Sequence, residues 1–159
     1  ATKSSKLNIS KLENTKKIAD IFAKNIFKGD VILFYGEIGV GKTTFIKSLV
    51  NSLEKIDKKN ISEITSPTFS LMNQYKLNKF DIHHYDLYRL KSEKDILSLN
   101  IFEDISDKIV LIEWPEILGE HKPRNTIDIN FEYGENFNSR YLTISTYKKL
   151  KIFDELKSL

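Results

Sequence analysis

Gly36-Glu37-Ile38-Gly39-Val40-Gly41-Lys42-Thr43 fills every fixed position of the pattern G-x-x-x-x-G-K-[ST]. Three of the six glycines in the chain fall inside this stretch. Its flanks carry as much information as the motif. Upstream, Val31-Ile32-Leu33-Phe34-Tyr35 is a continuous apolar run, as expected of a strand buried on both faces. Downstream, Phe45, Ile46, Leu49, Val50 and Leu53 recur at helical spacing and predict a helix over residues 43–53. Strand, glycine-rich turn and helix are the setting in which backbone N–H groups wrap a polyphosphate. Glycine permits the backbone angles such a loop needs, and the helix start adds its positive end. In this reading Gly39, Val40, Gly41, Lys42, Thr43 and Thr44 bind the nucleotide. Lys42 reaches the β and γ phosphates, the Thr43 hydroxyl coordinates Mg2+, and Thr44 donates on the α-phosphate side. The implied ligands are ATP and Mg2+.

Working outward, a helix is expected over residues 12–27, with Ser10 as its N-cap. Residues 54–63 read as a charged loop. Strands are expected over 69–77 and 80–87, and a short helix over 92–99, with Glu93 capping its first turn. Ile109–Ile112 is a second short buried strand, and Pro115 is placed to open a helical turn. Residues 125–132 and 140–147 alternate as a terminal hairpin around Gly134, and 148–159 suit a final amphipathic helix. Alternating helices and buried strands point to a P-loop NTPase-like α/β three-layer sandwich, a mixed β-sheet flanked by helices, over residues 1–159 as one domain.

Composition narrows the function. The 159 residues carry a net charge of +3, too small an excess to specify nucleic acid as a direct partner. The chain has no cysteine, which excludes disulfides and thiolate metal sites and suits a cytoplasmic setting. No apolar run approaches the length of a membrane span, so a membrane is not an expected partner, and the small charge excess gives no reason to expect DNA.

A phosphate loop needs acidic groups at the C-terminal ends of neighbouring strands to hold the metal or orient water. Glu113 directly follows Ile109–Ile112, and Asp86 ends His83-His84-Tyr85-Asp86. Either carboxylate is a candidate for catalysis and for the metal, beside Lys42 and Thr43. His83 and His84 are adjacent in a strand, so they face opposite sides and do not share one ion. Trp114 suits stacking on a base or anchoring in a core or interface. Ser66-Pro67-Thr68 suits a switch that senses the γ phosphate or a proline turn before a strand. Asn78-Lys79-Phe80-Asp81 spells the guanine-reading N-K-x-D pattern, but it follows Lys42 too closely and lacks a preceding D-x-x-G; it reads as a turn.

GEIGVGKTTF at 36–45, SPTFSL at 66–71, HYDLYRL at 84–90 and IEWPE at 112–116 together resemble the TsaE (YjeE) family over roughly residues 12–148. That resemblance implies a small bacterial P-loop ATPase required for threonylcarbamoyl modification (t6A) of the tRNA adenosine beside the anticodon. It implies action on a TsaB–TsaD heterodimer and ATP hydrolysis that resets the complex; tRNA is expected as an indirect partner, with direct contact left open by the sequence. It further implies that Asp86 and Glu113 are the functional acids, that Trp114 neighbours the site, and that Ser66, Pro67 and Thr68 form the switch. The loop at 54–63 is longer and more basic than the resemblance leads one to expect. Arg140 suits a nucleotide or a partner contact. Two other classes remain open at this point. A small-molecule or nucleoside kinase would transfer phosphate to an acceptor, and a nucleotide-dependent scaffold would tolerate loss of the Glu113 carboxylate.

Overall fold

The computed structural model describes residues 1–159. Its strands are β1 (Thr2–Lys3), β2 (Leu7–Asn8), β3 (Val31–Tyr35), β4 (Met72–Lys76), β5 (Asp81–Asp86), β6 (Lys108–Glu113), β7 (Ile127–Tyr133) and β8 (Arg140–Thr146). Its helices are α1 (Leu12–Ala23), α2 (Lys42–Ile56), α3 (Glu93–Ser98) and α4 (Ile152–Leu156), with 3-10 turns at Ile105–Asp107 and Pro115–His121. One mixed sheet runs β1-β8-β7-β3-β6-β5-β4, and β2 also pairs with β8. The middle four strands, β7-β3-β6-β5, are parallel; the pairings at the two flanks are antiparallel.

The central strands β3 and β6 are buried on both faces, and period-two alternation sorts their side chains between two cores. Ile32, Phe34, Ile109 and Leu111 join the core under α1, α2 and α4. Val31, Leu33, Val110 and Ile112 join a smaller one with Ile96 of α3 and Leu118 of the second 3-10 turn. The expected mixed sheet flanked by helices is therefore the observed one. Beneath the phosphate loop, Phe45 of α2 lies 6.1 Å from Phe34, 5.9 Å from Phe131 and 6.0 Å from Phe22, ring centre to ring centre. These rings pack β3, β7, α1 and α2 into one core beneath the loop.

Several boundaries differ from the sequence reading. Ser10 does not cap α1: its hydroxyl accepts the Arg140 N–H at 3.0 Å, joining the N-terminal segment to β8. Helix α1 stops at Ala23, and α2 starts at Lys42 and continues to Ile56. Strand β4 begins only at Met72, because Leu71, with a positive φ of 67°, donates its N–H to the Pro67 carbonyl at 2.7 Å and closes a turn. Ser92, not Glu93, caps α3, by accepting the Asp95 N–H, while Glu93 turns to His121. The tail folds as α4 alone, with Ile152 and Leu156 buried. No helix is long and apolar enough to cross a membrane.

Candidate active site

The C-terminal ends of the parallel strands place the chemistry. Strand register aligns Phe34 of β3, Glu113 of β6 and Asp86 of β5 in one row across the sheet. Glu113 and Asp86 share their sheet face with Leu111 and His84, two residues before them, and this is the face covered by α2. The loop from β3 to α2 carries Gly36, Gly39 and Gly41 at φ of 145°, 79° and 117°. Gly36 has a second constraint. A Cβ there would lie 2.9 Å from both the Cβ and the carbonyl oxygen of Phe131, so the loop leaves the sheet through a gap that only glycine fits.

The first turn of α2 meets the strand ends. Thr43 Oγ1 donates to Glu113 Oε1 at 2.9 Å. The other carboxylate oxygen of Glu113 lies 2.8 Å from His84 Nε2, in a pair buried from solvent. The buried Lys42 ammonium donates to the Gly36 carbonyl and lies 3.7 Å from the centre of the Trp114 ring. Burial pushes the Lys42 pKa below the ordinary lysine value, and the carboxylates of Glu113, Glu116 and Asp86 oppose that shift. Trp114 holds a left-handed backbone conformation (φ 57°, ψ 53°), which is strained for a bulky residue. Its ring is 4.9 Å from that of Tyr88.

On the opposite wall, Ser66 Oγ and Thr68 Oγ1 donate to Asp86 Oδ2 at 3.3 and 3.1 Å, and the two hydroxyls lie 2.9 Å apart. Asp86 Oδ1 accepts the Tyr88 N–H at 3.1 Å. Pro67 lies between the two hydroxyl residues, in the turn that closes at Leu71. Lys42, Thr43, Ser66, Thr68, Asp86, Glu113 and Trp114 thus line one cleft of about 270 Å³, with Ile38, Gly39 and Tyr88 at its edge. A second cleft of about 150 Å³ opens beside the same helix start, between Ile9, Leu12, Thr15, Val40, Gly41, Thr44 and Arg140.

Two parts of this arrangement were not anticipated. His84 is read in the sequence only as one of an adjacent pair that does not share an ion, yet it holds Glu113. The signal for it was its offset of two residues from Asp86, which puts both on one face of a strand. Tyr88 lies within HYDLYRL at 84–90, but the sequence reading gives it no role. The N-K-x-D look-alike is structural: Asn78 Nδ2 donates to the Asp57 carbonyl at 2.9 Å, and its N–H is bound by the Asp57 side chain, so the segment fastens the end of α2.

A buried parallel strand, a glycine-turned loop and a helix whose first turn meets a strand-end carboxylate define a P-loop NTPase-type protein. Residues 9–142 match the family model described as "Threonylcarbamoyl adenosine biosynthesis protein TsaE". The chain belongs to this TsaE family. A relative from Rickettsia prowazekii, named tRNA threonylcarbamoyladenosine biosynthesis protein TsaE, is 37% identical over 144 residues, covering 91% of this chain and 95% of the relative. A Bacillus subtilis protein of the same name is 32% identical over 118 residues, covering 74% of this chain and 70% of that protein. Among solved structures, Bacillus subtilis YdiB superposes with a TM-score of 0.71 over 99% of this chain and 93% of its own, at 24% identity, a likeness of fold.

Proposed function

We propose that this protein is a magnesium-dependent ATPase of tRNA threonylcarbamoyladenosine biosynthesis, working in the cytoplasm on a TsaB–TsaD heterodimer and reaching tRNA only through it. The observation that carries the reading is the meeting, in one cleft, of Lys42 and Thr43 from the loop with Glu113 from β6 and the Asp86-bound Ser66–Thr68 segment.

In this reading the Lys42 ammonium exchanges the Gly36 carbonyl for the β and γ phosphates, and the loop N–H groups supply the remaining donors. Thr44 faces the α phosphate. The cleft that Thr44 shares with Ile9, Leu12 and Arg140 takes the nucleoside. The donor set suits magnesium: a threonine hydroxyl and a carboxylate oxygen 2.9 Å apart, a second carboxylate lining the same cleft, and no sulfur. Magnesium prefers such hard oxygens and takes its other ligands from water and phosphate. Bound by Thr43 and Glu113, it would neutralise charge developing on the phosphate oxygens. Asp86 holds the Ser66–Thr68 segment against the cleft, so its position follows the state of the γ phosphate. In hydrolysis the water oxygen bonds to the γ phosphorus, the bond to the β–γ bridging oxygen breaks, and the water proton leaves with phosphate or solvent. Loss of the γ phosphate then frees the segment and alters the surface offered to the partner.

The test is ATP hydrolysis by the purified chain, alone and with TsaB and TsaD from the same source. Weak activity alone and clear stimulation by the pair is the expected result. Strong activity without stimulation, or phosphate transfer to a small acceptor, would instead support an independent NTPase or a kinase.

A further inference from the structure

His84 is the one group, other than Thr43, that contacts the Glu113 carboxylate by hydrogen bond. It sits on β5 in register with Leu111, two residues before Glu113 on the adjoining strand, and is fully buried. An ionised carboxylate only accepts, so the hydrogen of this bond is on Nε2. The other ring nitrogen, Nδ1, is buried with no partner. Nothing else therefore anchors the imidazole by hydrogen bonding, and the ring is committed to Glu113. The division of labour within Glu113 follows: Oε2 is fixed from inside the sheet by His84, and Oε1 is left facing the helix start at Thr43.

We propose that His84 is a positioning residue for the magnesium site, orienting the Glu113 carboxylate so that one oxygen always faces the Thr43 hydroxyl. This rests on the reading of Glu113 as a magnesium-side ligand. Without the ring the buried carboxylate loses a donor and gains rotational freedom, so the pair Thr43–Glu113 is no longer preset. Groups that orient a metal ligand typically affect metal affinity by about 10- to 100-fold. A glutamine at this position can offer an amide N–H on a side chain of similar reach, and a leucine cannot.

The test compares His84→Leu and His84→Gln with the wild-type chain. Affinity for a non-hydrolysable ATP analogue is measured by calorimetry in magnesium and again in EDTA, with thermal melts alongside. Wild type should bind more tightly in magnesium. His84→Leu should keep its EDTA affinity and lose most of the magnesium gain, with a half-saturating magnesium concentration about 10-fold or more higher. His84→Gln should recover much of the gain. If both variants are folded and both keep the wild-type gain, the proposal is overturned while the magnesium reading stands. If Leu and Gln lose the gain equally although Gln melts like wild type, a hydrogen-bonding role for His84 is likewise overturned. If the wild-type chain itself binds equally with and without magnesium, the magnesium reading fails and this proposal with it.

Discussion

Lys42 shows how much one residue's surroundings decide. Its side chain is buried between the Gly36 carbonyl and the Trp114 ring, and burial lowers its pKa. Phosphates would raise that pKa on binding, so nucleotide binding favours the charged form. Affinity is then full while free Lys42 is protonated, and it falls as pH rises through the lowered pKa of the free protein. Lys42→Ala should weaken ATP binding by about 10- to 100-fold, from the worth of a hydrogen bond to a charged group, and should remove the alkaline fall. Calorimetric titrations across pH check both; an unchanged affinity in the variant would contradict this role. At this scale the strand–loop–helix setting was legible, because the glycine-rich pattern depends on residue type at fixed spacing. The partners of Glu113 and Asp86 were not legible. His84, Ser66 and Thr68 reach them only through sheet register and the turn at Leu71.

Among the elements, the β3–loop–α2 unit owes its geometry to fit against β7. Gly36 faces the Phe131 backbone, and relief of the 2.9 Å approach of an added Cβ would require backbone movement. Gly36→Ala should destabilise the fold by about 1–3 kcal/mol, a range set by residues held in strained conformations. Chemical denaturation reads this directly, and a variant as stable as wild type would mean that the seam is looser than described. Strands β3 and β6 and helix α2 could be read in sequence because the strands are continuous apolar runs and the helix carries strong helical periodicity. Strands β1 and β2 were missed for a physical reason. Each has two residues, too few for any pattern, and each exists only through pairing with β8. The Ser10 hydroxyl was misread for the same reason, since the N–H it accepts belongs to Arg140 at the start of that strand.

For the whole molecule, sheet order was the least legible feature. Nothing local to β7 or β8 says that β7 returns to lie parallel beside β3. The same return route carries the chain to α4, whose Ile152 and Leu156 close the core under α1 and α2. Ile152→Ala should cost about 2–5 kcal/mol, the usual range for truncating a buried isoleucine, with nucleotide affinity unchanged while the protein remains folded. A melt combined with a binding titration checks that separation. In the proposed reading the loop captures the nucleotide, and the carboxylates at the C-terminal ends of β5 and β6 serve magnesium and turnover. The most direct measurement uses Glu113→Ala in the presence of TsaB and TsaD, with ATP binding and ATP hydrolysis followed in the same samples. The variant should bind ATP as wild type does in EDTA, lose the magnesium-dependent gain in affinity, and no longer turn ATP over. Full partner-stimulated hydrolysis by that variant would contradict this reading.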